Sequence, residues 1–473
     1  MGSLVGIDLG TSACKVTVVR DDLSVVSVRS NPYPIDSPHP GWAEQDQDAW
    51  WEITRDTISR GMGAAGVRDD YSTVSFTGQM NGLVLLGSDG RVLRPPIMWC
   101  DHRANREVDE LEDLIPEYSS IVGFDPFPAF TLPQLLWVKR NEPETFRRCV
   151  NILVPKDYLR YRATGTMATD WTDASGTGAF DTNTREWSTL ILDRCGVDRG
   201  ILPNVVAPEH PAGDADALLD HTDSVVGIGD QFAEALAAGV VTAGSMSISL
   251  GTSANLLVSV SHPTEGAYCH APRDQWLKLE SVQSGGEAVA WFANTMCGGA
   301  TAEAVLELAA SSPPGASGVR FLPQLFGLRK ERKEPIRAAF LGLGINSNLA
   351  DMARAVVEGV AFELRRRFES GSWNANLDTL TLTGGGTRSE LWCSIIGAVF
   401  NSQYRVGSRD AAFGAAMVAG LRNKWWLDYS DAPWADSNIV ETDPIMANAY
   451  IDHFHDYCVK FDRVCEERDG DSE

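Results

Sequence analysis

No stretch of the 473-residue chain is apolar for long enough, and free enough of charge, to span a bilayer; even the most apolar region, Phe232 to Leu250, contains Glu234. Cysteine is sparse and patternless, nine residues with no CxxC spacing. An odd, scattered set predicts reduced and mostly buried thiols, not disulfides or a thiolate zinc site. The eight histidines show no HExxH or other metal spacing, which argues against protein-bound zinc. Positive charge is in short supply, with 40 Lys and Arg against 64 Asp and Glu and a net charge of −24. Nucleic acid and anionic membrane surfaces both need basic patches, so neither is expected as a partner and a neutral small molecule suits the chain better. Strand-like sequence starts at Leu4, leaving no room for a signal peptide, and MGSLVG lacks the hydroxyl residue that myristoylation prefers at the sixth position. A cytoplasmic protein is expected.

What the chain does have is a repeated tetrapeptide. LGTS occurs at Leu9–Ser12 and again at Leu250–Ser253, after the β-rich runs LVGID and SMSIS. Each copy reads as a strand ending in a tight turn, where glycine permits unusual backbone angles and Thr and Ser offer hydroxyls. Successive backbone N–H groups in such a turn form a nest for phosphate. Two nests facing each other across a cleft would hold one nucleotide triphosphate from both sides, so the repeat suggests a duplicated, two-lobed phosphotransferase. The size agrees, because 473 residues exceed a single hydrophobic core. With 44% hydrophobic and 22% charged residues, the composition is that of an ordinary globular protein.

Residues 4–31 alternate apolar and polar and predict a three-strand meander. A helix is expected over Asp46–Arg60, entered by the acidic run EQDQD, which suits the positive end of a helix. Strands follow at 73–78 and Leu83–Leu86, then an amphipathic helix over 104–118. The pattern returns after the middle of the chain, with VVGIGD at 225–230, a small-residue helix, LGTS between two strands, a helix at 349–369, TLTLTGGG, and a helix from Ser389. Strands, helices and strands again in each half imply two α/β lobes with mixed sheets and a boundary near Ser224.

Several residues carry chemistry on this reading, each with a plain alternative. Asp8, beside Gly10, Thr11 and Ser12, would repel phosphate unless Mg²⁺ lies between them, and Mg²⁺ takes few carboxylates plus waters; the alternative is an Asx turn closing a hairpin. Gly251, Thr252 and Ser253 form the second nest, or a simple hairpin turn. Gly384, Gly385 and Gly386 open a helix and would let a flat adenine approach the backbone, or mark an ordinary helix entry; GxGxxG spacing fails at Ser389. Asp230 closes the strand VVGIG and, on spacing alone, reads as a helix N-cap. Gly414, Ala415 and Ala416 read as close helix packing, and Trp42, Trp50 and Trp51 as packing and helix-staple residues.

Taken together the motifs resemble the FGGY family of carbohydrate kinases, and the resemblance spans nearly the whole chain. It is carried by PKDYLRYRATGTMATDWTDASGTGAFDTNTREWS at 155–188, by AAFLGLGINSNLADMARAVVE at Ala338–Glu358, which fits the family's second signature, and by FTLPQLLWVKRNEP at 130–143, which resembles the first except that Gln134 replaces the usual Lys. TGQMNG at 77–82 and GRVLRPPIMWCDHR at 90–103 are similar to the xylulokinase branch. The resemblance implies an actin-like ATPase (ribonuclease H-like) fold, α/β, with two lobes of mixed five-stranded sheets around a central cleft. Residues 1–223 would form the N-terminal lobe and 224–473 the C-terminal lobe, the latter with the catalytic Asp, the second phosphate loop and the adenosine site.

The resemblance also assigns roles. Asp230 stands where the family has its catalytic base, taking the proton of an acceptor hydroxyl aligned with the γ-phosphate. Lys15 stands at a basic phosphate contact, a solvated strand lysine being the alternative. A sugar pocket should involve Gln79, Met80, Asn81, Trp99, Asp230 and Gln231, with Trp99 facing carbon–hydrogen bonds and the polar groups sorting hydroxyls. Asn81 stands where xylulokinases usually have His, and Gln231 where they have Asn. Gln231 resembles glycerol kinases instead, although Met80–Asn81 lacks the Arg–Glu pair of those enzymes. The expected protein is an ATP- and Mg²⁺-dependent kinase that phosphorylates the terminal hydroxyl of D-xylulose. Another ketose or polyol, such as ribulose or glycerol, stays open, as does a non-catalytic nucleotide switch of the actin class. A small sugar is the expected partner, and a homodimer stays open.

Overall fold

The computed structural model of the chain describes residues 2–20, 22–65, 72–327, 336–371, 373, 375, 377–432 and 438–470. They form two compact units, each discontinuous in sequence. Unit 1 comprises Met1–Val241, Ser261–Leu277 and Arg409–Ala435; unit 2 comprises Thr242–Val260, Lys278–Ser408 and Asp436–Glu473.

In unit 1, strands β1 (Ser3–Leu9), β2 (Ala13–Val19) and β3 (Val25–Pro32) make the expected antiparallel meander. β1 offers its other edge to β4 (Ser72–Gly78), which runs parallel to it. All seven residues of β4 are buried, as befits a strand covered on both faces. The β1–β2 register explains the covering. Directly opposed residues share a face, and Gly6 opposes Thr17 while Ile7 opposes Val16, so these pairs look to opposite sides. On the Val16 side lies helix α1 (Gln47–Ala65), close enough that a Cβ on Gly61 would touch Val16. On the Gly6 side lies the helix Ala411–Arg422, where a Cβ on Gly6 would sit 1.7 Å from the Ala412 carbonyl oxygen. The same helix presses Gly414 against Ala233, with 1.9 Å between a would-be Cβ and that carbonyl oxygen. The run Gly414, Ala415, Ala416 therefore serves packing, as expected.

Some expectations need correction. The main sheet of unit 1 carries seven strands, not five, because Pro211–Asp214, Thr222–Val225 and the two-residue Ile228–Gly229 extend the β4 side. Runs this short carry too few alternations to register as strands. Val84–Leu86 leaves the main sheet to pair with Asn151–Leu153. The helix expected over 104–118 spans Asn105–Leu114 and is followed by a separate short helix, Tyr118–Val122; Pro116 biases Ile115 out of the helical region between them. The division placed near Ser224 also shifts. Residues 224–241 belong to unit 1, since Ile228–Gly229 pairs with β4 and the helix Asp230–Ala237 packs on Ala411–Arg422.

Unit 2 repeats the plan of unit 1. Met246–Leu250 is antiparallel to Ala254–Val260 and parallel to Thr379–Thr383, and Gln403–Val406 continues the parallel set. This sheet carries six strands, not five, and from Trp276–Val282 onward its order is Ala254–Val260, Met246–Leu250, Thr379–Thr383, Gln403–Val406. The long helix Leu349–Ser370 starts on a capping box between Asn348 and Asp351, within a residue of its expected bounds. Both LGTS copies thus follow a strand with an antiparallel partner on one edge and a parallel one on the other. No disulfide joins any of the nine cysteines, and none is exposed. No helix of the described residues is long and apolar enough to cross a membrane.

Gly6→Ala should lower stability by roughly 3 kcal/mol, because its methyl meets backbone and not a side chain that can swing away. The check is the denaturant midpoint of the purified variant; a midpoint equal to that of the parent would contradict the close packing.

Candidate active site

The site in unit 1 is built by strand register. Leu9 of β1 stands level with Gly78 of β4, and Gly229 stands level with Gly78 on the other side. All three strands run the same way, so the residues just past their ends, Gly10, Gln79 and Asp230, leave the sheet side by side. The carboxyl ends of parallel strands are where open α/β sheets place their ligands. The Gln79 N–H donates to the Leu9 carbonyl at 2.9 Å, which fixes the two chain exits together.

The β1–β2 loop is braced from below. Gly10 N–H donates across it to Ala13 O at 3.1 Å, Tyr33 N–H donates to Ser12 O at 3.0 Å, and the Tyr33 hydroxyl donates to Gly10 O. Trp99 Nε1–H donates to Thr11 Oγ1 at 2.9 Å, and Gln45 Nε2 donates to Thr11 O at 2.7 Å. One residue of the expected sugar pocket, Trp99, is therefore bonded directly to the expected phosphate loop.

Met80 and Asn81 of the expected pocket lie against the segment 173–176 and the end of Ile228–Gly229. Met80 and Asp173 crowd Gly229: a Cβ there would lie 3.0 Å from Met80 Cγ and 3.1 Å from Asp173 Oδ1. A Cβ on Gly176 would lie 2.3 Å from Asn81 Oδ1 and 2.9 Å from Met80 Cε. Asn81 has a left-handed backbone (φ 70°), a conformation that Asn tolerates better than most residues and that a branched side chain resists. Gln79 Oε1, Asn81 Oδ1 and Gln231 Oε1 are buried without a partner inside the protein. Buried amide oxygens left alone cost free energy, so three of them near one strand end mark a place for donors from outside, such as hydroxyl groups. Asp230 is not the N-cap that spacing suggested. The cap is Gly229, and Asp230 is the first helical residue, its Oδ1 accepting the Gln231 N–H at 2.7 Å. Gln134, where the family has Lys, donates from its amide to Met98 O at 3.0 Å and Ala129 O at 3.2 Å, holding the backbone beside Trp99.

Electrostatically the site is short of positive charge. Burial pushes the Asp8 carboxyl up to about 7, against the pull of Lys15, and Asp410 and Glu234 add to the rise. Its Oδ1 is buried with no hydrogen-bond partner. Asp230 is raised well above the ordinary carboxylate range by burial and by the charges of Asp8, Glu234 and Asp173. Burial lifts Glu234 to about 6, with Lys15 opposing and Asp410 assisting. Lys15 opposes Asp8 across β1 and β2, and its Nζ pairs with Asp410 Oδ2 at 3.1 Å, so it is not a lone solvated lysine. Asp410 also caps the helix Ala411–Arg422 through the Phe413 N–H. Among the described residues no three acidic, His or Cys side chains converge as a metal cage. A lone unpaired carboxylate oxygen such as that of Asp8 nevertheless suits Mg²⁺, which keeps waters and takes further oxygens from phosphate.

Unit 2 presents a second loop of the same kind. Gly251 N–H donates to Ser253 O at 3.0 Å, while Gly251 O and Thr252 O accept from Gly286 and Glu287 at 2.7 and 3.1 Å. These donors open the helix Gly286–Met296, whose N-terminus favours negative charge. Gly384 (φ 87°) lies against the end of the preceding strand, with a would-be Cβ 2.7 Å from Leu250 O. The glycine run and the second loop are thus neighbours. Gly385–Arg388 forms a 3₁₀ turn, and Ser389 caps the helix Glu390–Phe400.

Sequence reasoning overlooked several residues. Gln45 and Tyr33 brace the first loop, Gly285 and Gly286 the second, and Asp410 holds Lys15. Asp173 lies within the quoted run TDWTDASG, where no single position was assigned a role. Gln45 had a faint signal, as a short polar residue in the acidic helix entry that turns out to be 1% exposed.

The fold is that of the actin-like ATPases, two mixed α/β units built on one repeated plan. Residues 3–228 match the N-terminal domain and 246–422 the C-terminal domain of the FGGY family of carbohydrate kinases. The xylulose kinase of Escherichia coli (strain K12) is 34% identical over 437 residues, 88% of this chain and 89% of that protein. The crystal structure of the xylulose kinase from Rhodospirillum rubrum superimposes with a TM-score of 0.90 at 26% identity, covering 98% of this chain and 99% of that one. Plasmodium falciparum glycerol kinase, solved with ADP, shares the fold at a TM-score of 0.85 and 20% identity over 97% and 98% of the two chains. The chain belongs to the FGGY family of carbohydrate kinases, and its activity is ATP-dependent phosphorylation of a sugar.

Proposed function

We propose that the protein transfers the γ-phosphate of ATP to the terminal hydroxyl of D-xylulose, with Asp230 as the catalytic base. The observation that carries this reading is the juxtaposition at one sheet edge of a phosphate-type loop, a carboxylate and a set of unpaired amide oxygens. Relatives of similar length named as xylulose kinases support the choice of ketose.

Gln79, Asn81 and Gln231 accept hydroxyl protons of the bound sugar, and Trp99 packs on its carbon–hydrogen face. The Asp230 carboxylate receives the proton of the attacking hydroxyl as the bond to phosphorus forms. Its raised affinity for a proton, due to burial among other acids, suits it to keep that proton. In the turn opened by Gly10, the backbone N–H groups of Thr11 and Ser12, with Lys15 behind them, hold phosphate oxygens. Gly251, Thr252 and Ser253 hold further phosphate oxygens, and Gly384, Gly385 and Gly386 lie against the adenosine. Asp8 would hold Mg²⁺, which when bound supplies positive charge for the developing phosphate charge.

The first test is mass spectrometry of a panel of D-xylulose, D-ribulose and glycerol, each incubated with MgATP. D-xylulose should gain one phosphate. Gain on another acceptor and none on D-xylulose would overturn the choice of sugar. Asp230→Asn should reduce kcat by about 10³-fold while nucleotide affinity stays within about twofold, since a base acts only on the transferring step. Undiminished turnover would remove Asp230 from the chemistry. For the metal role, Asp8→Asn should raise the Mg²⁺ concentration for half-maximal rate by about tenfold or more, one charged ligand being worth on the order of 1.4 kcal/mol or above. The same variant should unfold no more easily than the parent without nucleotide and Mg²⁺, because a buried carboxylate lacking a partner is itself costly. An unaltered Mg²⁺ requirement would refute that role.

A further inference from the structure

We infer that Gln45 is a positioning residue that couples sugar binding to the first phosphate loop, an inference that rests on the sugar-kinase reading of that site. Its side chain, at the entry to α1, joins three parts of unit 1. Oε1 accepts from Trp50 Nε1 and from Gln79 Nε2, each at 3.0 Å. Nε2 donates to the carbonyls of Thr11 at 2.7 Å and Pro34 at 3.3 Å.

The polarity of this chain of bonds is fixed and not a matter of choice between two amide orientations. An indole N–H can only donate, and a backbone carbonyl can only accept. Trp50 on one side and Thr11 with Pro34 on the other therefore dictate which end of the Gln45 amide is oxygen. Gln79 must then donate to it, which leaves Gln79 Oε1 as a buried acceptor with no partner. Thr11 is set in the same manner. Trp99 Nε1 donates to Thr11 Oγ1 at 2.9 Å, so the threonine proton remains to be given to another acceptor. Two tryptophans thus prepare the two ends of one network. Gln79 is set to accept from a sugar hydroxyl, and Thr11 is set to donate to a phosphate oxygen.

A hydroxyl donating to Gln79 Oε1 polarises the Gln79 amide and strengthens its donation to Gln45, and Gln45 passes the restraint to the Thr11 peptide. The coupling is reciprocal by linkage, so nucleotide on the loop also tightens the sugar site. Burial matters here: Gln45 and Gln79 are each 1% exposed, so water does not substitute for a missing bond without opening the structure.

The test is calorimetric. The affinity of a non-hydrolysable ATP analogue with Mg²⁺ is measured without sugar and with saturating D-xylulose. For the parent protein the ratio of the two affinities should be about fivefold or more, the lower end of ordinary coupling. Gln45→Glu still accepts from Trp50 and Gln79 but sets a carboxylate oxygen against the Thr11 and Pro34 carbonyls. Gln45→Met keeps the bulk and loses every bond. Both should bring the ratio to about one, a change that a merely structural loss of stability would not produce. Should neither variant fold, as judged by circular dichroism, Trp50→Phe removes only the fixing N–H and should at least halve the ratio. A parental ratio in any folded Gln45 variant overturns the inference, as does a ratio near one in the parent or an unchanged ratio in Trp50→Phe. If the parent neither binds nor phosphorylates D-xylulose, the substrate reading has failed instead. The same ratio is then measured with whichever acceptor the panel shows to be phosphorylated, and the same outcomes decide.

Discussion

The arrangement of unit 1 depends on one constraint, the parallel pairing of β4 with β1 on one side and Ile228–Gly229 on the other. Because Leu9, Gly78 and Gly229 stand at one level, the loop after β1, the turn after β4 and the helix headed by Asp230 emerge together. A slip of one residue in either pairing would turn every side chain to the other face and part the carboxylates from the loop. The register is held by burial on both faces of β4 and by the backbone contact at Gly6, which admits the helix Ala411–Arg422 against β1. That helix carries Asp410 at its start and so delivers the partner of Lys15 to the same end of the sheet.

The electrostatics follow from this geometry. Asp8, Glu234 and Asp410 gather around Lys15, Asp230 feels the charges of Asp8 and Glu234, and burial lifts Asp8, Asp230 and Glu234 above the ordinary carboxylate range. A net-acidic site is a poor receptor for a polyphosphate on its own, and backbone N–H groups, a helix N-terminus and a divalent cation are the groups that offset it. The net charge of −24 does not prevent phosphate chemistry, because recognition is by local dipoles and not by overall charge.

Much of this was legible in the sequence. Hydrophobic alternation located β1 to β3, the helix Leu349–Ser370 lies within a residue of its expected bounds, and the recurring LGTS announced the duplicated plan that the two sheets display. Residues with a motif around them, Asp8, Gly10, Gln79, Asn81 and Asp230, stand at or just past the ends of β1, β4 and Ile228–Gly229. What could not be read were partners far apart in the chain. Gln45 bonding to Gln79, Trp99 to Thr11 and Lys15 to Asp410 are consequences of register and helix placement, which no local pattern encodes. Strands of two to four residues escaped for the same reason, since Thr222–Val225 and Ile228–Gly229 exist because β4 offers them an edge, and Pro211–Asp214 because Thr222–Val225 does. Asp230 as a cap was a fair local inference, and one residue of helix phase separates it from the observed position.

The central claim is that Asp230 stands over the sugar's reacting alcohol at the end of β4. A crystal structure of the protein with D-xylulose and MgADP tests it most directly. The account predicts the terminal hydroxyl within about 3.2 Å of an Asp230 carboxylate oxygen, with other hydroxyls on Gln79 and Asn81. A sugar whose terminal hydroxyl lies beyond about 5 Å from that carboxylate, farther than one bridging water can span, would contradict it.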